Sequence, residues 1–211
     1  MQKENIMGTK KMSTLLLFTG IPLMLSLFIN SMYNFVDSMF ISRVSEDALT
    51  ALSLAAPVQL LVSALGLGNA VGLNAVISKA LGKKNPEEVR RAADAAIFIA
   101  MCSWVIITVL CILFVRPYFE WQSGGNKVIA EYGRQYLTVC MIFSFGQMGQ
   151  WVFDRFVIAS GRSGLFLFTL SAASVTNLIL DPIFIFGWFG LPRLDTLGAA
   201  IATVIGQIVG M

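Results

Sequence analysis

The chain has 211 residues, of which 56% are hydrophobic and only 13% are charged, and its formal net charge is +3. A soluble domain usually carries about 25% charged residues, so a soluble globule of this size would lack the polar surface to cover itself. The same numbers exclude an intrinsically disordered chain. The composition predicts an integral membrane protein, in which the basic excess is a matter of topology and does not indicate nucleic-acid binding.

Six apolar runs follow one another along the chain. A membrane-spanning helix uses about 20 apolar residues, and none of the runs has the short alternating pattern of a membrane β-barrel. We therefore predict an all-α, polytopic membrane protein, with a tail over residues 1–12 and a six-span unit over residues 13–211. The sixth run is short, so we expect the chain to be a fragment or one half of a longer protein. The predicted spans cover residues 13–41, 49–77, 92–115, 136–159, 165–189 and 197–211.

The lysine and arginine residues of the connections predict the orientation of the spans. The tail and the second and fourth connections carry ten of them, whereas the opposite side carries five. Because cytoplasmic loops are enriched in basic residues, we predict a multi-pass protein of the cell (inner or plasma) membrane with a cytoplasmic N-terminus. The most basic connection leads into the third span, where we expect Asn85 to cap a helix that begins at Pro86. That connection is also suited to contact anionic lipid.

The first span carries a polar face. Asn30, Asn34 and Asp37 follow at intervals of four and three, which places them close to one side of a helix, and Tyr33 lies next to them. Polar and ionisable residues inside a span are costly and usually functional, so we expect this face to line a cavity or a neighbouring helix. Pro22 removes one backbone hydrogen bond and is the predicted bend point of the span.

The fifth span combines a carboxylate, an amide and a helix-disrupting proline. Asn177 and Asp181 are four residues apart. Pro182 deprives the carbonyl of Leu178 of its helical partner and is, with Pro22, a predicted hinge. Since Asp37 and Asp181 both lie toward the outer ends of their spans, they are expected at similar depth. Two carboxylates in one dry pocket cannot both stay ionised without a shared proton or a cation. In the alternative interpretation, each aspartate only caps a frayed helix end.

Two further polar faces follow the same helical spacing. The fourth span carries Gln150 and Asp154, with Gln150 the deeper cavity candidate, and the sixth carries Thr203. Asp154 and Arg155 form either an interfacial pair or part of the polar face. The charges predicted inside the spans are mostly acidic, and no arginine is predicted deep in a span.

Several blocks of the chain resemble the N-terminal half of the multidrug and toxic compound extrusion (MATE) family. The strongest are residues 177–187 (NLILDPIFIFG) and 198–203 (GAAIAT), supported by features within residues 21–37 and 72–82 in the same order. The resemblance implies a twelve-helix antiporter built from two six-helix lobes, of which this chain has only the N-terminal one. It implies export of hydrophobic organic cations in exchange for H⁺ or Na⁺. A second lobe, from the same gene or another chain, is the implied partner.

The family resemblance also implies roles for individual residues. Asp37, Asn177 and Asp181 match the N-lobe cation site, and Thr203 matches a sixth-helix threonine that often joins it. No cofactor is expected beyond a bound Na⁺ or H⁺, and membrane lipid surrounds the lobe. The alternatives are a flippase for a lipid-linked precursor, which would favour arginines in its cavity, and a truncated scaffold without transport activity. We do not expect an enzyme, because the chain has no histidine and no evident nucleophile–base pair.

Overall fold

The computed structural model describes residues 12–211 of the chain. This part is built from α-helices and one short 3₁₀ turn and contains no β-strand, which confirms the all-α prediction. The predicted tail lies outside the described residues except for Met12, where the first helix begins. The helices are α1 (Met12–Ser42), α2 (Glu46–Gly82), α3 (Pro86–Gln122), α4 (Lys127–Ile142), α5 (Phe145–Ala159), α6 (Ser163–Phe186) and α7 (Asp195–Gly210).

Polar side chains fix the first residues of three helices. Ser45 Oγ accepts a hydrogen bond at 3.0 Å from a backbone N–H in the first turn of α2. Asn85 Oδ1 accepts from the N–H groups of both glutamates that follow Pro86, each at 3.2 Å, which confirms the predicted start of α3. Asn126 does the same for α4, at 2.9 and 3.3 Å. These N–H groups have no partner inside their helices, so the caps allow short connections.

The prediction of one helix over residues 136–159 is wrong. The structure has two helices in this region, and a turn at Phe143 and Ser144 separates α4 from α5. In addition, α4 begins nine residues before the predicted limit, at Lys127, because Asn126 caps it there. Apolarity alone set the predicted limit, and the first two turns of α4 carry the charged residues Lys127, Glu131 and Arg134 among apolar ones.

Trp104 of α3 packs at the turn that separates α4 from α5. The N–H of Gly146 bonds to the carbonyl of Phe143 at 3.3 Å, which leaves the carbonyl of Ile142 without its usual helical partner. The indole N–H of Trp104 donates to that carbonyl at 2.7 Å. The Trp104 ring also packs edge-on against Phe145, with a centroid distance of 5.9 Å. The interruption is therefore a satisfied structural feature, held by α3.

The predicted limit of the fifth span at residue 189 is also wrong, because α6 ends at Phe186. Gly187 has a left-handed backbone with φ of 74°, and a Cβ atom there would lie 2.6 Å from the carbonyl oxygen of Leu191. Only glycine fits this position without strain. The next three residues form the 3₁₀ turn Trp188–Gly190, and the chain re-enters a helix at Asp195.

Three helices of the described part are long and apolar enough to cross a membrane, namely α2, α3 and α6, and α7 is a shorter apolar helix. The 37 residues of α3 extend over about 55 Å. This exceeds the hydrocarbon thickness of about 30 Å, so the ends of α3 project beyond it. The count of six spans stays a prediction.

Close packing of α1, α6 and α7 positions the site. On α7, a Cβ atom at Gly198 would lie 2.5 Å from the backbone of α6, so the two helices touch there without side chains between them. On the other side of α6, Phe40 packs edge-on against Phe186 with a centroid distance of 6.1 Å. The C-terminal ends of α1 and α6 therefore meet, which brings together the segments that carry Asp37 and Asp181.

Candidate functional site: a polar cavity between the helices

A cavity of about 400 Å³ lies between α1, α2, α4, α5, α6 and α7. Its wall combines aromatic and aliphatic side chains with amides, hydroxyls and charged groups. Asp181 is not part of the wall, because it is fully buried behind Asn177. The predicted site residues that line the cavity are Asn30, Tyr33, Asn34, Asp37, Gln150, Asn177 and Thr203.

Four of the predicted residues form a group that we call the acidic cluster: Asp37, Asn177, Asp181 and Thr203. Asn177 is the centre of the group, and its amide orientation is assigned from its partners. In the orientation that satisfies both polar atoms, Nδ2 donates to Asp181 Oδ2 at 3.0 Å, and Oδ1 accepts from the backbone N–H of Thr203 at 3.2 Å. Asn177 and Asp181 are 3% and 0% exposed, so this link between α6 and α7 is shielded from solvent.

Asp37 is the member of the acidic cluster whose hydrogen bonding is incomplete. Its side chain is buried, and its Oδ1 atom has no hydrogen-bond partner among the described residues. It shares the cavity wall with Tyr33 and Asn177, and Asn177 in turn binds Asp181. A buried carboxylate oxygen without a donor is costly. A proton or a small cation at Asp37 Oδ1 would supply the missing partner.

The acidic cluster differs from a multi-ligand metal centre. Within residues 12–211 no group of three or more His, Cys, Asp or Glu side chains is placed to hold a metal ion. The cluster instead offers two carboxylates together with neutral amide and hydroxyl oxygens. Oxygen ligands suit hard cations, and two carboxylates that share one positive charge suit a monovalent ion or a proton.

Helical spacing on α6 and one glycine on α7 bring the residues of the acidic cluster together. Asn177 and Asp181 are four residues apart, so both point to the same side of α6. On α7, Gly206 lies against α6, and a Cβ atom there would be 3.2 Å from Asn177 Cβ and 2.9 Å from the carbonyl oxygen of Ala173. The missing side chain lets α7 approach until Thr203 reaches Asn177.

The other predicted residues of α1 extend the polar wall. Asn34 Nδ2 donates to the carbonyl oxygen of Asn30 at 2.7 Å, so part of its hydrogen-bonding capacity is used within its own helix. Ser26 is fully buried and donates to the carbonyl oxygen of Pro22 at 2.7 Å. The helices α1 and α6 continue through Pro22 and Pro182, and bending at these prolines stays a prediction.

Sequence reasoning missed a second group of polar residues beside Asp37. Gln59 of α2 donates from Nε2 to the hydroxyl oxygen of Tyr136 of α4 at 3.2 Å. Tyr136 and Cys140, one turn further along α4, line the same cavity wall as Asp37. Tyr136 was overlooked because it was predicted as the first residue of a span. Gln59 has Ser63 four residues later, and this spacing was the signal that could have found it.

The cavity wall has a second charged part, and its arginine was not predicted from the sequence. Arg155 lines the cavity together with Asp154, although no arginine was predicted to do so. The reason is that the cavity follows α5 down to its last turn, which ends at Ala159. Asp154 is 5% exposed and lies near Thr169 on α6. In the described part of the chain the two residues form no ion pair with each other, so the interfacial-pair alternative is not what the structure has.

Comparison with known proteins identifies the family. A family model described as MatE matches residues 22–183, which is more than half of the chain. The chain belongs to the MatE family. The matched segment contains Asp37, Asn177 and Asp181, whereas Thr203 lies beyond it.

Curated relatives of this MatE chain include two described as probable multidrug resistance proteins. One is YoeA of Bacillus subtilis, 29% identical over 192 residues, covering 89% of this chain and 41% of YoeA. The other is NorM of Thermotoga maritima, 26% identical over 196 residues, covering 90% of this chain and 41% of NorM. A FAD transporter of Shewanella oneidensis is 28% identical over 181 residues, covering 85% of this chain and 39% of that protein. The chain spans about two fifths of the length of these relatives.

Solved MATE structures share the fold. A point mutant of a MATE protein superimposes with a TM-score of 0.90 over 100% of this chain and 46% of its own, at 21% identity. An outward-facing multidrug resistance MATE transporter of the MOP superfamily gives a TM-score of 0.85 at 23% identity, over 93% of this chain and 42% of its own. The resemblance noted in the sequence is thereby confirmed. The protein is a multi-pass membrane protein of a transporter family whose members are not enzymes.

Proposed function

We propose that this chain is the N-terminal lobe of an exporter that exchanges hydrophobic organic cations for Na⁺ or H⁺ across the cell membrane. The observation that carries the proposal is the buried Asp37 Oδ1 atom, which has no hydrogen-bond partner in the described part of the chain and lies in the wall of the cavity. Family membership supports transport, and the names of two curated relatives support drugs as substrates.

The ion-binding half of the proposal assigns the acidic cluster to the coupling ion. Asp37 and Asp181 contribute negative charge, and Asn177 and Thr203 contribute neutral oxygens. When the site is empty, two neighbouring carboxylates repel each other in a buried environment. Binding of Na⁺ or a proton relieves this repulsion and lets α1 pack more closely against α6, with Pro22 as the bend point. The ion thereby favours one arrangement of the cavity wall over another.

The substrate half of the proposal follows from competition for the same charge. An organic cation in the cavity is attracted by Asp37, and so is the coupling ion. Binding of one weakens binding of the other, and this reciprocal coupling is the thermodynamic basis of antiport. The apolar and aromatic part of the wall, which includes Tyr33, Phe166 and Trp151, suits flat hydrophobic cations. Alternating access requires a second lobe, which we propose as the partner of this chain.

The flippase alternative is less well supported. A lipid-linked precursor carries phosphate groups, which require several basic side chains. In the part of the chain that the structure describes, Arg155 is the only basic side chain in the cavity wall, and Asp37 and Asp154 oppose it. We therefore retain the cation exporter as the proposal.

A matched pair of hydrophobic ions tests the proposed substrate class. Tetraphenylphosphonium and tetraphenylborate have nearly the same size and shape but opposite charge. The purified chain in lipid nanodiscs is expected to bind tetraphenylphosphonium, and Na⁺ or acid is expected to displace it. Equilibrium binding of radiolabelled ligand measures both effects, with empty nanodiscs as the control for partition into lipid. Binding of tetraphenylborate without binding of tetraphenylphosphonium would replace the proposal by the flippase alternative.

A further inference from the structure

Arg155 is a charged group of the cavity that the proposed ion coupling does not use. It lines the cavity, its Nε atom is buried, and no hydrogen bond or ion pair to it is found within the described residues. A buried guanidinium nitrogen without an acceptor is costly. Arginine is also the side chain best suited to bind a carboxylate through two parallel hydrogen bonds. The structure thus contains an unused anion-binding group in a ligand-sized cavity.

The neighbouring Asp154 does not neutralise Arg155 by direct contact. Consecutive residues of an α-helix point about 100° apart, so the two side chains leave α5 in different directions. Asp154 also lines the cavity, but it is only 5% exposed and lies near Thr169 on α6. The charge of Asp154 still acts on Arg155, but the guanidinium remains available to a ligand.

The position of Arg155 is remote from the acidic cluster. Asp154 lies near Thr169, and Thr169 is twelve residues before Asp181 on α6. At a rise of about 1.5 Å per residue, this separation along the helix is about 18 Å. A ligand anion on Arg155 therefore avoids the repulsion of Asp37 and Asp181. The two ends of the cavity are suited to groups of opposite charge.

An aromatic side chain lies beside Arg155 on the same face of α5. Trp151 is four residues earlier, so its ring and the guanidinium are neighbours along the helix, and both line the cavity. The ring is seated in a gap on α2, where a Cβ atom at Gly66 would lie 2.5 Å from two of its carbon atoms. This seat fixes the position of the indole. The pair presents a flat apolar surface next to a positive charge.

We propose that Trp151 and Arg155 form a subsite for the aromatic carboxylate of an amphoteric substrate, which we call the carboxylate subsite. The inference rests on the proposed export function and narrows its substrates to compounds that carry a carboxylate as well as a cationic group. The aromatic ring of the substrate packs on Trp151, and its carboxylate accepts hydrogen bonds from Arg155. The cationic part lies toward Asp37.

Tetramethylrhodamine and its methyl ester test the carboxylate subsite. Both dyes carry the same delocalised cation, and only the free acid has a carboxylate. The dissociation constant of each dye is measured by fluorescence anisotropy with the purified chain in nanodiscs of neutral lipid. Arg155→Gln is expected to weaken binding of the acid about tenfold and to leave the ester unchanged. Arg155→Lys, which keeps the charge, is expected to retain part of the affinity. Arg162→Gln, on an exposed arginine at the start of α6, is the control and should change neither constant.

The two dyes also separate failure of the subsite from failure of the export proposal. Unchanged acid binding in Arg155→Gln, or an equal loss for both dyes, would overturn the subsite while ester binding to the wild type still supports the exporter. Absence of binding of both dyes to the wild type would overturn both proposals. Gly66→Ala gives an independent check, since it displaces the Trp151 ring and is expected to weaken the acid severalfold without changing Arg155. Full retention of acid affinity in Gly66→Ala would remove Trp151 from the subsite.

Discussion

Gly206 lies so close to Asn177 that a Cβ atom on residue 206 would be 3.2 Å from Asn177 Cβ and 2.9 Å from the carbonyl oxygen of Ala173. Distances this short leave no room for a methyl group unless the helices move apart. The backbone of α7 is therefore part of the site wall, and Thr203 reaches Asn177 because residue 206 has no side chain. Helix packing and the geometry of the acidic cluster are coupled at this one contact.

Gly206→Ala should separate α6 from α7 and disturb the acidic cluster. Overpacking of this kind destabilises by about 1–3 kcal/mol, so we expect a lower melting temperature in detergent and weaker displacement of tetraphenylphosphonium by Na⁺ or acid. Gly68→Ala is the matched control, because nothing lies within 4 Å of a Cβ atom at that exposed helical position. Differential scanning fluorimetry and ligand binding measure the two effects. Equal behaviour of the two variants would show that the close contact has no role in the site.

Trp104→Phe should loosen the interruption between α4 and α5. The substitution keeps an aromatic ring but removes the N–H that donates to Ile142 at 2.7 Å. The loss of this partly buried hydrogen bond costs about 1 kcal/mol. Hydrogen–deuterium exchange is expected to become faster in peptides that cover residues 139–147. Trp121→Phe is the control, because Trp121 is 79% exposed at the end of α3. Unchanged exchange in Trp104→Phe would show that the interruption is held by other contacts.

The two ends of α3 offer a direct test of membrane orientation. Lys84 and Asn126 are exposed on the connections before and after this helix, which extends over about 55 Å. In a background without the three native cysteines, a membrane-impermeant maleimide added to intact cells should label Asn126→Cys and not Lys84→Cys. Permeabilised cells, in which both positions should react, are the control. Labelling of position 84 from outside would reverse the predicted orientation.

Helical spacing was sufficient to find most of the acidic cluster from the sequence. A polar residue inside a span must face protein or water, so the intervals in α1 and α6 determine which sides of these helices meet. Asp37 and Asn177 line one cavity, and Asp181 lies directly behind Asn177. Such faces are local properties of a helix, and a single sequence contains them completely.

The features that were missed depend on contacts between distant segments. The turn at Phe143 and Ser144 is satisfied by Trp104, which lies 38 residues before its partner Ile142, and no local pattern predicts this bond. For Arg155 the sequence left open an interfacial pair or a place on the polar face, because its depth was judged from the end of an apolar run. That the cavity extends along α5 as far as Arg155 depends on the packing of five other helices around it, which only the tertiary structure reveals.

The central claim is that the acidic cluster couples ion binding to substrate binding, and ligand affinity measured against Na⁺ concentration and pH tests it most directly. In the wild type, Na⁺ or acid should weaken tetraphenylphosphonium binding about tenfold. Asp181→Asn and Asp37→Asn should each abolish this dependence while the lobe stays folded, because the two carboxylates act as a unit. Asp94→Asn, on a side chain that is 70% exposed, should behave as the wild type. Unchanged ion dependence in Asp181→Asn would contradict the account and move the coupling site elsewhere, with Asp154 the next candidate.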